Sequence, residues 1–136
     1  MSFVIQTTKS AANKRDVVKP LALATTKGAI YVNNVTTGAL ELAVAGTPTA
    51  KVYFLANETQ AANATTTVNC DVVSREDIFV ADLANNSNAA HNGQRMAIAT
   101  GALTLTNSGT DAAAGQFEQI APVGVAADKK ALVIRV

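Results

Sequence analysis

Large apolar residues alternate with polar ones along much of this chain, the period-two signature of strands with one face turned inward. In the stretch 40–44, Leu40, Leu42 and Val44 fall on one side and Glu41 on the other. Val68, Cys70 and Val72 alternate with Asn69 and Asp71, and 96–98, 103–106 and 132–136 repeat the pattern. In the last of these the alternation groups Leu132, Ile134 and Val136 on one face. Denser runs at 29–32, 51–55 and 78–80 predict strands buried on both sides. Each run has roughly the 5–6 residues usual for a strand. Turn chemistry separates them, as in Thr36-Thr37-Gly38, Ala45-Gly46-Thr47-Pro48 and the stretch from Asn107 to Asp111. Alanine favours helix, but here it stands among Thr, Val, Asn and Gly, and no long stripe of period 3.6 appears. Short helices are allowed only near 58–64 or 86–90. The pattern predicts an all-β fold, a small barrel or sandwich.

The first 19 residues break this pattern. From Thr7 to Lys19 the chain is polar and basic, and Pro20 disfavours a central strand position. This reads as an extended N-terminal arm (1–19) ahead of a single β domain (20–136), with Phe3, Val4 and Ile5 at its tip needing an apolar resting place. Phe3, Val4, Ile5, Lys9, Lys14, Arg15 and Lys19 are the candidate contact residues of that arm.

Composition sharpens the picture of the body. A chain of 136 residues has room for one core, and 49% hydrophobic content suffices to build it. Only 4% of residues are aromatic and none is Trp, so the core must be thin and made of small aliphatic groups. Charged residues amount to 15%, well below the roughly one-quarter of a typical domain, leaving a surface rich in Thr and Asn that suits packing against a partner. The net charge of +1 argues against nucleic acid or a membrane surface as partner, although residues 1–51 carry +4 and the remainder −3. A lone cysteine excludes an intrachain disulfide framework, and no secretory signal or membrane-spanning run is visible. Synthesis in the cytoplasm is expected.

Reactive constellations are hard to assemble from these residues. One Cys and one His do not make a zinc site. Cys70 lies on the apolar face of an alternating strand, where an inert buried thiol is expected, and His91 lies in an Asn-rich loop. No nucleophile elbow or phosphate-cradling glycine spacing occurs. Glu76 and Asp77 would point to opposite faces of a strand and read as a solvated edge. The stretch from Asn107 to Asp111 lacks the acidic density of a calcium loop. Tyr31, Tyr53, Phe54, Phe79 and Phe117 fall inside strand runs and read as core. No catalytic residue, metal or cofactor is expected, and the chain reads as a structural protein.

One further pattern concerns the second half. Asp77-Ile78-Phe79-Val80-Ala81-Asp82, the Asn-rich loop ending in Gly93, Met96-Ala97-Ile98-Ala99, the turn from Asn107 to Asp111, Gly115-Gln116-Phe117, Pro122-Val123-Gly124 and Val133-Ile134-Arg135-Val136 follow in order. In this texture of motifs, over residues 20–136, the chain resembles the capsid decoration (cement) proteins of tailed bacteriophages. The resemblance implies a small β-barrel or β-tulip body on the outer surface of the virion capsid. It implies the major capsid protein and other copies of the chain as partners, with trimers at local three-fold positions a recurrent arrangement. A terminal arm that adds a strand to a neighbour occurs in some members, although residues 1–19 contain none of the motifs. The alternative is a β-sandwich module of a phage tail or fibre that binds a host receptor. Such a module should expose aromatic or charged hot spots, and few are present.

Overall fold

The computed structural model describes residues 3–7, 16–20, 24–61, 67–75, 77–107, 111–112 and 114–136. The side chains of 4–7, 16–20 and Thr67 are not described. Within these residues the chain is all-β, with no α-helix. Eleven strands occur in chain order: β1 (Phe3–Thr7), β2 (Asp16–Pro20), β3 (Ile30–Asn33), β4 (Leu40–Leu42), β5 (Tyr53–Ala56), β6 (Thr67–Val73), β7 (Ile78–Leu83), β8 (Arg95–Met96), β9 (Thr104–Leu105), β10 (Phe117–Val123) and β11 (Lys130–Arg135). The expected short helix near 86–90 is a single 3-10 turn at Ala89–His91. At 58–61 the chain is not helical, and Gln60 instead bridges to Thr25.

The second half forms a nearly closed five-strand barrel. β7, β11, β10 and β8 are antiparallel neighbours, and β9 returns parallel to β7, pairing Asp82 with Thr104 and Leu83 with Leu105. A bridge between Ile98 and Leu105 joins β9 to the chain leaving β8 and closes the ring. Closure removes the exposed edges that would otherwise invite pairing with another chain.

The first half forms a four-strand antiparallel sheet in the order β6-β5-β3-β4, and β2 adds at the β6 edge. One face of this sheet packs on the barrel. There Ile30, Val32, Tyr53, Leu55 and Val73 meet Phe79, Leu83, Phe117 and Val133 in one buried cluster. The opposite face is apolar too, with Tyr31, Leu40, Phe54, Val68 and Cys70 buried in a second cluster. The thin, small-residue core expected from composition is corrected in part: all six aromatic rings of the chain lie in these two clusters, Phe3, Tyr53, Phe79 and Phe117 in the first and Tyr31 and Phe54 in the second.

Residues 3–7 differ from a free arm. β1 pairs antiparallel with β7, matching Phe3 to Ala81, Val4 to Val80 and Ile5 to Phe79. Phe3 is 2% exposed, stacked on Phe117 at 5.2 Å between ring centroids and edge-on to Phe79 at 6.1 Å. For Phe3 the apolar resting place is the chain's own core. β2 likewise pairs along β6, with Lys19 opposite Val68. Lys9, Lys14 and Arg15 lie outside the described residues.

The face of β11 is also the reverse of the expected one. Ala131 and Val133 are fully buried and Arg135 is 6% exposed, while Leu132 and Ile134 are only half-buried. In a barrel strand packed on a second sheet both faces meet protein, so apolarity alone does not select the inward set.

Candidate functional site

Segment 44–52 connects β4 to β5, and it is held in an unusual way. Connections of this length are normally the mobile part of a domain. Here three buried side chains from other elements grip its main chain. Gln116, fully buried just before β10, donates through Nε2 to the carbonyls of Val44, Ala45 and Thr47 at 3.2, 2.7 and 3.0 Å. Its Oε1 accepts from the Ile98 amide at 2.9 Å, so a single side chain ties the barrel to the segment. The Tyr53 hydroxyl donates toward the carbonyls of Thr47 and Pro48 at 3.3 and 3.2 Å. Arg135 donates through Nη2 to the carbonyls of Thr49 and Lys51, and through Nη1 to that of Val73 on β6.

The arrangement gives both terminal nitrogens of Arg135 carbonyl partners, while its buried Nε has none. Its guanidinium lies 4.0 Å from the centre of the Tyr53 ring, a cation–π contact. Burial pushes its pKa below the ordinary guanidinium value, opposed chiefly by Tyr53. A guanidinium nevertheless stays charged at neutral pH. Burial raises the Tyr53 phenol above its ordinary 10.0, with Arg135 pulling the other way. Thr47 completes the set: its Oγ1 accepts from the Val44 amide and its own amide donates to the Val44 carbonyl, both at 2.9 Å.

The side chains that this segment presents outward are mostly apolar, while the exposed Arg75 donates through Nη2 to the Thr49 carbonyl at 3.2 Å. Val44, Ala45, Gly46, Pro48, Ala50 and Val52 are exposed, the two valines at 58% and 53%. The segment's only ionic group, Lys51, turns its Nζ back to the Asn33 carbonyl at 3.2 Å. Beside Val44 a groove of about 520 Å³ runs between residues 42–45 and the turn 98–101, lined by Leu42, Ala43, Ile98 and Ala99 among others.

The other candidate groups serve structure. Cys70 is a buried thiol on the second core, and the five aromatic residues expected inside are all buried. Asp77 is 1% exposed and accepts from the Ser74 amide in the turn before β7, so the solvated edge expected for it is corrected; Glu76 lies outside the described residues. Asp82 is ion-paired with Lys130 on β11. Asn107 accepts from the Asn85 amide and donates to the carbonyls of Asn85 and Asn86, and Gln119 donates to Asn88 and Asn92. These two buried amides pin the Asn-rich loop that carries His91. Among the described residues no group of three or more His, Cys, Asp and Glu could hold a metal ion.

No protein-family model matches the chain, and no curated protein or solved structure matches it.

Sequence reasoning missed Gln116, Gln119 and Arg135. An amide in a Gly-Gln-Phe turn looks like any surface glutamine. Arg135 alone left a trace, as a cation inside the apolar run 132–136.

Proposed function

We propose that this chain is a structural, non-enzymatic capsid decoration protein. In this reading it binds the outer surface of a tailed-phage head, with the major capsid protein and further copies of itself as partners, and stabilises the shell. The observation that carries the reading is where the resembling motifs fall. The stretch 77–82 covers all but the last residue of β7, 96–99 starts at the last residue of β8 and runs into the closing turn, 115–117 enters β10, and 133–136 ends β11. They lie on strands of one continuous barrel, which is the body the resemblance implies. Buried polar groups support it further. Among the described residues, Asn107, Gln116, Gln119 and Arg135 direct their hydrogen bonds to main chain rather than converging on a cleft.

The test is direct. Purified protein is added to expanded capsids that lack a decoration protein, and bound copies per shell are counted. Saturation at a fixed number per capsomer, with increased resistance of the shell to heat, is the expected result. Absence of binding to expanded capsids would overturn the reading.

A further inference from the structure

The buried Gln119 holds a surface residue whose own chemistry the fold leaves unused. Asn92 follows the 3-10 turn Ala89–His91, and Asn92-Gly93 is the sole Asn-Gly pair in the sequence. Both residues are exposed, so water reaches them. Asparagine is a thermolabile residue. Glycine after it heightens the lability, because no side chain shields the asparagine side-chain carbon from the next main-chain nitrogen. The fold nevertheless calls for this pair. Gly93 has φ 84°, a left-handed conformation that glycine adopts without strain. Asn92 supplies the Oδ1 that accepts from Gln119 Nε2 at 2.8 Å.

We infer that Asn92 is a site of covalent self-modification by deamidation, and that Gln119 gates it by holding the loop closed, whatever partner the chain has. In the reaction the Gly93 nitrogen gives up its proton and attacks the Asn92 side-chain carbon. The bond to Nδ2 breaks, ammonia leaves, and a five-membered succinimide remains. Water then opens either carbonyl of that ring, giving aspartate or isoaspartate. The folded loop blocks the first step in three ways. Asn92 has ψ 133°, which carries the Gly93 nitrogen away from the side-chain carbon it must reach. The Gly93 amide donates to the Gln119 carbonyl at 2.9 Å, and the Gln119 amide donates to the Gln94 carbonyl at 3.1 Å, fixing the loop end on β10. Gln119 Nε2 also holds the Asn88 carbonyl at 2.9 Å, so one side chain pins both ends of the 3-10 turn. Gln119 is 1% exposed, and water competes little for these bonds. A donor on Oδ1 polarises the Asn92 amide, but polarisation is without effect while the nucleophile points elsewhere. Conversion therefore proceeds through local opening, at a rate set by the population of the open loop. The change is one-way. Isoaspartate inserts an extra methylene between residues 92 and 93, which shifts Gly93 and Gln94 out of register with Gln119. Either product takes the net charge of the chain from +1 to 0.

The experiment incubates the full chain at mildly alkaline pH and follows each asparagine by peptide mass mapping, with isoaspartyl methylation as a second readout. Three samples are compared: folded wild type, wild type unfolded in urea, and folded Gln119→Met. In urea, Asn92 is expected to convert ahead of every other asparagine. In the folded wild type its conversion is expected to be slower by at least about tenfold, and Gln119→Met should restore about tenfold, the effect of losing two hydrogen bonds. Equal rates in folded and unfolded wild type overturn the inference. So does a folded Gln119→Met that converts no faster than wild type, since Gln119 then does not hold the gate. If Gln119→Met does not fold, the wild type is followed through urea concentrations below its unfolding transition, alongside hydrogen exchange of the Gly93 amide. Conversion that rises in step with that exchange supports the gate, and conversion independent of it overturns the inference.

Discussion

Gln116 shows how one neutral side chain can join two parts of a small protein. It makes four hydrogen bonds to main chain, three as donor and one as acceptor, with no exposure to water. Removing it takes the partner from the Ala45 carbonyl and the Ile98 amide, while the Val44 and Thr47 carbonyls keep the Thr47 amide and the Tyr53 hydroxyl, and each group left unpaired costs about 1–3 kcal/mol. Gln116→Leu should therefore destabilise the fold by roughly 2–4 kcal/mol despite conserved volume, as measured by the midpoint of denaturant unfolding. A loss below about 1 kcal/mol would mean that the segment re-forms its bonds with water. Tyr31 and Tyr53 make a second prediction. Burial raises both phenols above 10.0, so the folded state holds protons that the unfolded chain releases. Their contribution is complete below pH 10.0 and is lost as pH rises through the folded values. Stability should fall above about pH 10, with tyrosinate absorbance appearing together with unfolding and not before it. These positions were partly legible from the sequence. An aromatic inside an apolar run is visibly core, whereas Gln116 and Asn107 owe their roles to partners many residues away, which no local pattern records.

At the scale of strands, alternation located the elements better than it assigned their faces. Leu40, Val68 and Cys70 are buried as their spacing demanded, and Asn69 is exposed. The pattern misled at β11, where Val133 and Arg135 face inward, and after β4, where Ala43 is buried and Val44 exposed. The causes differ: in β11 apolar residues stand on both faces, so polarity does not pick the inward one, whereas β4 ends at Leu42 and the period of two no longer governs Ala43 and Val44. The first strand illustrates another limit. An edge strand is defined by the register of its partner, and β7 lies more than 70 residues downstream of β1. Deleting residues 1–7 should therefore destabilise the body, because it removes the Phe3 ring and uncovers the edge of β7; Phe3→Ala alone should cost about 3–5 kcal/mol. Differential scanning calorimetry distinguishes this from a free arm, whose deletion would leave the transition unmoved. Close approach makes β8 equally exacting. A Cβ on Gly115 would lie 2.9 Å from main-chain atoms of Met96 and from the Ala112 carbonyl. Gly115→Ala should push β8 away from β10 and lower the midpoint by at least several degrees, read by thermal unfolding.

Taken whole, the molecule joins a nearly closed barrel to a sheet that has a core on each face. The fold class was legible because short strands with Gly- and Asn-bearing turns exclude other classes. The fixed conformation of segment 44–52 was not, since Val44-Ala45-Gly46-Thr47-Pro48 reads only as a turn until its carbonyls are seen to be held. The ring contacts of Phe3 also bear on how the chain comes to be folded at all. Its two aromatic neighbours, Phe79 and Phe117, lie on strands far downstream of it. The first strand must wait, unpaired, until β7, more than 70 residues further along, has been made. Folding is then dominated by distant pairings, in the range of milliseconds to seconds typical of such topologies. During that wait β1 is the segment most in need of protection from its counterparts on neighbouring nascent chains.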